Sequence, residues 1–185
     1  MARNTVLRSM HDLGLATWFG GSLMGAVGLN AAAGVVTDPR ERSNVANAGW
    51  DRWTPVNMAA IGAHVVGAAG LVLANRQRIA GQRGVASMSL LKTGLTGAAL
   101  AVTAMARSEG AKFSARTGVP VAAGAEPLPE TPSDVAVSQQ RLRVMQWAVP
   151  ATTGALMILS SYAGEQQRPS EVRRGMRERL AMSRG

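Results

Sequence analysis

The chain of 185 residues offers two imidazoles, His11 and His64, and no cysteine, so thiolate metal sites, disulfides and cysteine nucleophiles are excluded. His64 lies near the middle of an uncharged run of 23 residues, 53–75, where a polar ring is costly unless it has a partner. Two readings follow. Either His64 is neutral and bonded to a Thr or a carbonyl, orienting helices, or it binds a cofactor such as haem, or handles protons or quinone. Asn57, almost two helical turns earlier, shares its face. Asn30 and Gln146 belong at the depth of Asn57, and Thr96, Thr152 and Thr153 at that of His64, so a polar seam through the molecule is expected. His11 is expected at the edge of the first helix, half a bilayer from His64, too far to ligate one haem with it. No nucleophile–base–acid set, zinc motif, phosphate-binding loop or dinucleotide fingerprint occurs, which argues against an enzyme.

Other residues read as structural. Met58, Met88, Met105, Met145 and Met157 are scattered as packing residues are, and no metal site is expected from them. Lys92, one or two turns inside an apolar run, can reach the headgroups along its four-carbon stem. Gly21, Gly25 and Gly28 line a narrow sector on which another helix can pack closely. In the tail, Ser170 can cap a helix in which Val172, Met176 and Leu180 recur every four residues. Arg173, Arg174, Arg177 and Arg179 surround them, a pattern suited to anionic lipid headgroups or an acidic partner.

The elements that must position these residues are apolar runs long enough to cross a bilayer, for which about twenty residues of helix suffice. The predicted organisation is an N-terminal segment 1–12, spans at 13–37, 53–75, 86–106 and 144–164, and a basic tail 165–185. An outer loop 38–52, a basic connection 76–85 and a Pro-rich outer loop 107–143 join the spans. Thr54 is expected to cap the second span with Pro55 in its first turn, and Pro150 to kink the fourth. A cleaved signal peptide is the rival for the first run, but its apolar stretch exceeds the usual length. The fold class expected is all-α, an integral membrane four-helix bundle.

Alternating the connections between two sides puts twelve basic and four acidic residues on one and eight against seven on the other. By the positive-inside tendency both termini are cytoplasmic. Trp50, Trp53 and Trp147 would then sit at the outer boundary as an aromatic belt. The formal charge of +9 points to anionic lipids and not to nucleic acid, since no basic stripe carries interleaved aromatics. Two Lys against eighteen Arg, with abundant Ala, Gly and Val, suit a high-GC bacterial genome.

His11 followed by Trp18-Phe19-Gly20-Gly21 resembles the His and Trp-x-Gly-Gly pattern of copper-resistance D-type membrane proteins over about a dozen residues. Those proteins carry further spans and histidines that this chain lacks, so copper handling does not transfer. The whole chain resembles small four-span actinobacterial membrane proteins of unknown function, which implies a location in the inner membrane and no activity. The function expected is that of a structural or accessory subunit, packing through Gly/Ala faces against a membrane partner or a second copy. A redox or solute- and proton-transport role built on the His64 seam is the alternative.

Overall fold

A computed structural model describes residues 4–81 and 84–165, and the tail arginines 173, 174, 177 and 179 expected to meet lipid headgroups or an acidic partner lie outside them. The fold is all-helical with one small hairpin. Helix α1 (Thr5–Met24) continues through a π turn, Gly25–Leu29, into the short α2 (Asn30–Ala33). Then come α3 (Arg42–Ala74), the short α4 (Arg76–Gly81), α5 (Val85–Ser114), the strands β1 (Val121–Ala123) and β2 (Glu126–Pro127), and α6 (Ser133–Glu165).

The four long helices do not touch equally. α1 packs along α3 and against α6, and α5 packs along α6, whereas α3 and α5 barely meet. An open cleft therefore runs between α3 and α5. The core is small: Leu15 and Trp18 from α1 pack with Ala99 of α5 and with Val149 and Leu156 of α6. The Trp18 indole N–H donates to Thr103 Oγ1 on α5 at 3.2 Å, tying the two non-adjacent helices together.

Large apolar side chains point outward on every long helix: Leu13 on α1, Met58 and Leu73 on α3, Leu90 on α5, and Val144 and Ile158 on α6 are exposed. Polar residues are turned in instead, including His11, Asn30, His64, Gln139 and Thr153. Arg42–Ala74 and Val85–Lys112 are long and apolar enough to cross a membrane, yet only 17% and 6% of their apolar windows are buried inside the molecule.

The hairpin end, the outer one in the expected topology, differs from the sequence reading. Residues 38–52 are not a polar loop throughout, because α3 starts at Arg42 and extends the apolar run by almost three turns. Charged side chains are tolerated on a helix wherever it stands in water. Pro55 accordingly lies well inside α3, and Thr54 caps nothing but donates to the carbonyl of Trp50, its neighbour one turn back. Helix α6 likewise starts at Ser133 and runs through Pro150.

The Pro-rich segment is also more ordered than an extended loop. Its strands pair antiparallel, Val121 with Pro127, and Val121 is fully buried beside Val135. Arg42 clamps the hairpin by donating to the carbonyls of Val36, Val121 and Ala122. Pro39 accepts from the Val121 N–H, and Thr131 Oγ1 donates to Pro120. The prolines remove donors, and an arginine fork on a neighbouring helix satisfies the carbonyls that remain.

Candidate functional site

The two histidines meet. The His11 and His64 ring centroids lie 4.5 Å apart, both residues are almost wholly buried (3% and 1% exposed), and His64 Nδ1 lies 3.1 Å from the His11 carbonyl oxygen. The expectation that half a bilayer separates them is therefore corrected. Because only Gly34 to Glu41 join α2 to α3, Ala33 stands opposite Arg42, and counting back one residue for one brings position 11 beside position 64.

Glycines make the approach close. Each histidine is followed three residues later by one: a Cβ on Gly14 would lie 2.4 Å from the Ala60 oxygen and 2.6 Å from the His64 nitrogen. A Cβ on Gly67 would lie 2.5 Å from the His11 nitrogen. These two, more than the expected set, carry backbone-to-backbone contact. Gly21 and Gly25 instead seat the indoles of Trp53 and Trp50, while a Cβ on Gly28 would meet only Met24 of its own helix.

A carbonyl can only accept, so His64 Nδ1 carries the proton and Nε2 of the neutral ring keeps a lone pair. Nε2 is buried without a hydrogen-bond partner among the described residues. The edge of Trp18 stands beside the same ring, 6.2 Å between centroids. His11 Nδ1 donates to Asp12 Oδ1 at 2.7 Å. Rings this close leave no room to clasp a porphyrin between them, so the pair does not fit a haem held by two imidazoles.

Two chambers occupy the α3–α5 cleft. The outer one, about 360 Å³, is bordered by Trp50, Trp53 and Asn57 of α3, Thr103 and Arg107 of α5, and Gln146 of α6. Asn30 organises its wall: its Nδ2 donates to Gln146 Oε1 at 2.8 Å and its Oδ1 accepts from Trp50 Nε1 at 2.9 Å. The π turn that precedes Asn30 adds one residue to the helical turn and resets its face. Asn57 Oδ1 is buried here without a partner among the described residues. Trp50 and Trp53 are thus half-buried against α1 and the chamber, and Trp147 is the exposed member of the expected belt.

The inner chamber, about 660 Å³, lies at the end that holds the N-terminus of α1 and the α3–α4 turn. Arg8, Asp12, Arg78 and Lys92 are its charged lining, with His11, Asn75, Thr96 and Ser160 among the polar residues. Leu100 borders both chambers.

The expected seam is accordingly split. Asn30, Asn57 and Gln146 gather at the outer chamber and Thr96 lines the inner one, its hydroxyl donating to the Lys92 carbonyl. Thr152 and Thr153 spend their hydroxyls on carbonyls of their own helix one turn back and do not bond His64. Among the described residues no group of three or more His, Cys, Asp or Glu is arranged to hold a metal ion.

One further cluster closes the outer end. The Glu109 carboxylate, buried on α5 beyond the apolar stretch 86–106, accepts from Lys112 at 2.9 Å and from Arg141 of α6 at 3.3 Å. The Lys112 hydrogen bond, aided by Arg141, holds its carboxyl below the usual range against the opposing effect of burial.

Comparison with family models, with curated proteins and with solved structures returns no match. Sequence reasoning missed Gly14, Gly67, Thr103 and the Arg8–Asp12–Arg78 lining. The repeated His-x-x-Gly at 11–14 and 64–67 was a usable signal for the first two, and the others depend on which helices become neighbours.

Proposed function

We propose that the chain is a four-span protein of the inner membrane with both termini cytoplasmic, and that it works without catalysis, as a structural or accessory subunit. One observation carries the reading: large apolar side chains are exposed on all four long helices, while His11, Asn30, His64 and Thr153 within the apolar runs and beside them are buried. A core helix of a water-soluble protein does the opposite, and exposing this much Leu, Val, Ile and Met to water would drive association. Among the described helices α3 and α5 are the two long and apolar enough to cross a membrane; in this reading the uncharged runs 13–37, in α1 and its π turn, and 144–164, in α6, serve as the other two spans. Small residues let α1 and α3 touch at Gly14 and Gly67, as membrane helices do in the absence of a hydrophobic drive between them. The partners in this reading are the bilayer, its anionic lipids through the basic tail, and a membrane protein or a second copy.

The test is carbonate extraction of membranes, followed by purification in mild detergent with an absorption spectrum and identification of co-eluting proteins. A colourless, carbonate-resistant protein in a stoichiometric larger complex is expected. Release by carbonate would end the membrane reading, and a Soret band would transfer the role to redox chemistry.

A second reading, passage of a small solute, is favoured by Leu100, which borders both chambers. Leu100→Ala would then raise solute leakage in proteoliposomes, and an unchanged leak would remove the idea.

A further inference from the structure

We infer that the inner chamber is a binding site for one anionic phospholipid, with the headgroup phosphate between Arg8, Arg78 and Lys92 and an acyl chain along the cleft between α3 and α5. The inference rests on the membrane reading above and adds to it a defined ligand at a defined place, apart from the basic tail.

Charge supports the headgroup end. Among the described residues the chamber's charged lining is three cations and one carboxylate, contributed by α1, α4 and α5. Arg8 and Asp12 both lie within electrostatic range of Lys92, and the charges of the described lining residues sum to two positive. The excess is positive, in a cavity whose effective dielectric is below that of water, which favours a phosphate monoanion over a zwitterion. Asn75 and Ser160 add short polar side chains to the wall, and the buried Ser160 Oγ has no partner among the described residues. A hydroxyl so placed can donate to a phosphate or ester oxygen.

Shape and polarity support the chain end. Away from the cations the lining turns apolar, with Val65, Ala69 and Val72 on α3 facing Val85, Met88 and Leu100 on α5. The two helices that form these walls barely meet and carry the two most lipid-compatible surfaces of the molecule. A cavity between them opens sideways to the bilayer, so a lipid enters without leaving its leaflet. Inorganic phosphate shares the headgroup chemistry but leaves the apolar half unused.

The test uses the full chain in zwitterionic detergent, titrated with phosphatidylglycerol, with phosphatidylcholine, or with inorganic phosphate. Thermal stability and native mass spectrometry of bound lipid are the readouts. One phosphatidylglycerol per chain is expected to remain bound and to raise Tm, with phosphatidylcholine ineffective. Lys92→Gln and Arg78→Gln should each weaken phosphatidylglycerol about fivefold, as expected for one cation near an anionic headgroup, whereas Arg116→Gln at the outer end should not. Lys92→Arg should restore binding.

Equal effects of the two lipids, unaltered binding by both inner variants, or full stabilisation by inorganic phosphate alone would each overturn the lipid site. Carbonate extraction of the same preparation separates the failures. A carbonate-resistant protein that ignores phosphatidylglycerol loses only this site, and a carbonate-released one loses the membrane reading with it.

Discussion

His64 Nδ1 donates to the main-chain carbonyl of His11 across the α1–α3 interface, at 3.1 Å. The bond joins a side chain to a backbone group, so it depends on how closely two helices approach. That approach is set by Gly14 and Gly67, one on each side of the pair.

Asparagine carries an amide N–H near the place of the imidazole Nδ1, so His64→Asn can keep the donor that His64→Ala deletes. His64→Ala is expected to lower stability by about 2–4 kcal/mol through the cavity and the lost bond. His64→Asn should recover about 1 kcal/mol of that. Thermal unfolding in one detergent compares them, and equal losses would show that only ring volume matters.

The glycine contacts make a sharper contrast. Gly67→Ala puts a methyl 2.5 Å from the His11 nitrogen, whereas at Gly62, on the same helix, nothing lies within 4 Å. Gly67→Ala should cost about 2 kcal/mol or more, and Gly62→Ala should be neutral or stabilising by up to about 1 kcal/mol. Unfolding midpoints of the two variants decide it.

At the outer end, Asn30→Ala removes both side-chain bonds that the amide makes and leaves Trp50 Nε1 and Gln146 Oε1 without it. A loss of about 1–3 kcal/mol is expected, with a change in tryptophan emission as water reaches the Trp50 indole. Unchanged emission would argue against the assigned bond.

Glu109 gives the pH dependence. Its carboxyl is held low in the folded chain by Lys112 and Arg141, so its contribution is complete above the ordinary value of 4.5 and is lost as pH falls through the lower folded value. The wild type should lose stability on acidification below 4.5 more steeply than Glu109→Gln. Parallel profiles from pH 6 to 3 would contradict this.

Much of this architecture is legible in the sequence, and what is not has physical causes. Uncharged runs mark where helices must be, and Asn30 and Gln146 could be set at one depth because apolar length fixes position along the bundle axis. Helix ends are harder: Arg42 to Arg52 holds Ser43, Asn44, Asn47 and Gly49 between Arg42 and the charged pair Asp51–Arg52, a polar composition that water-facing helices share with loops, so the sequence places the start of α3 three turns late. That one difference displaced His11 from His64, since the register between antiparallel helices is inherited from the turn joining them. The neighbours of α5 were not legible at all. They depend on packing choices such as Trp18 reaching Thr103, for which the chain has no periodic signal.

The central claim is that four helices cross the inner membrane and leave both termini inside, and the absence of native cysteine makes the measurement direct. Thr117→Cys, exposed near the outer hairpin, and Ser87→Cys, exposed at the start of α5, are treated in intact cells with a membrane-impermeant maleimide. Labelling of Thr117→Cys alone, with Ser87→Cys labelled only after the membrane is opened, is the predicted result. Labelling of Ser87→Cys from outside, or protection of both positions until the cell is opened, would contradict the account.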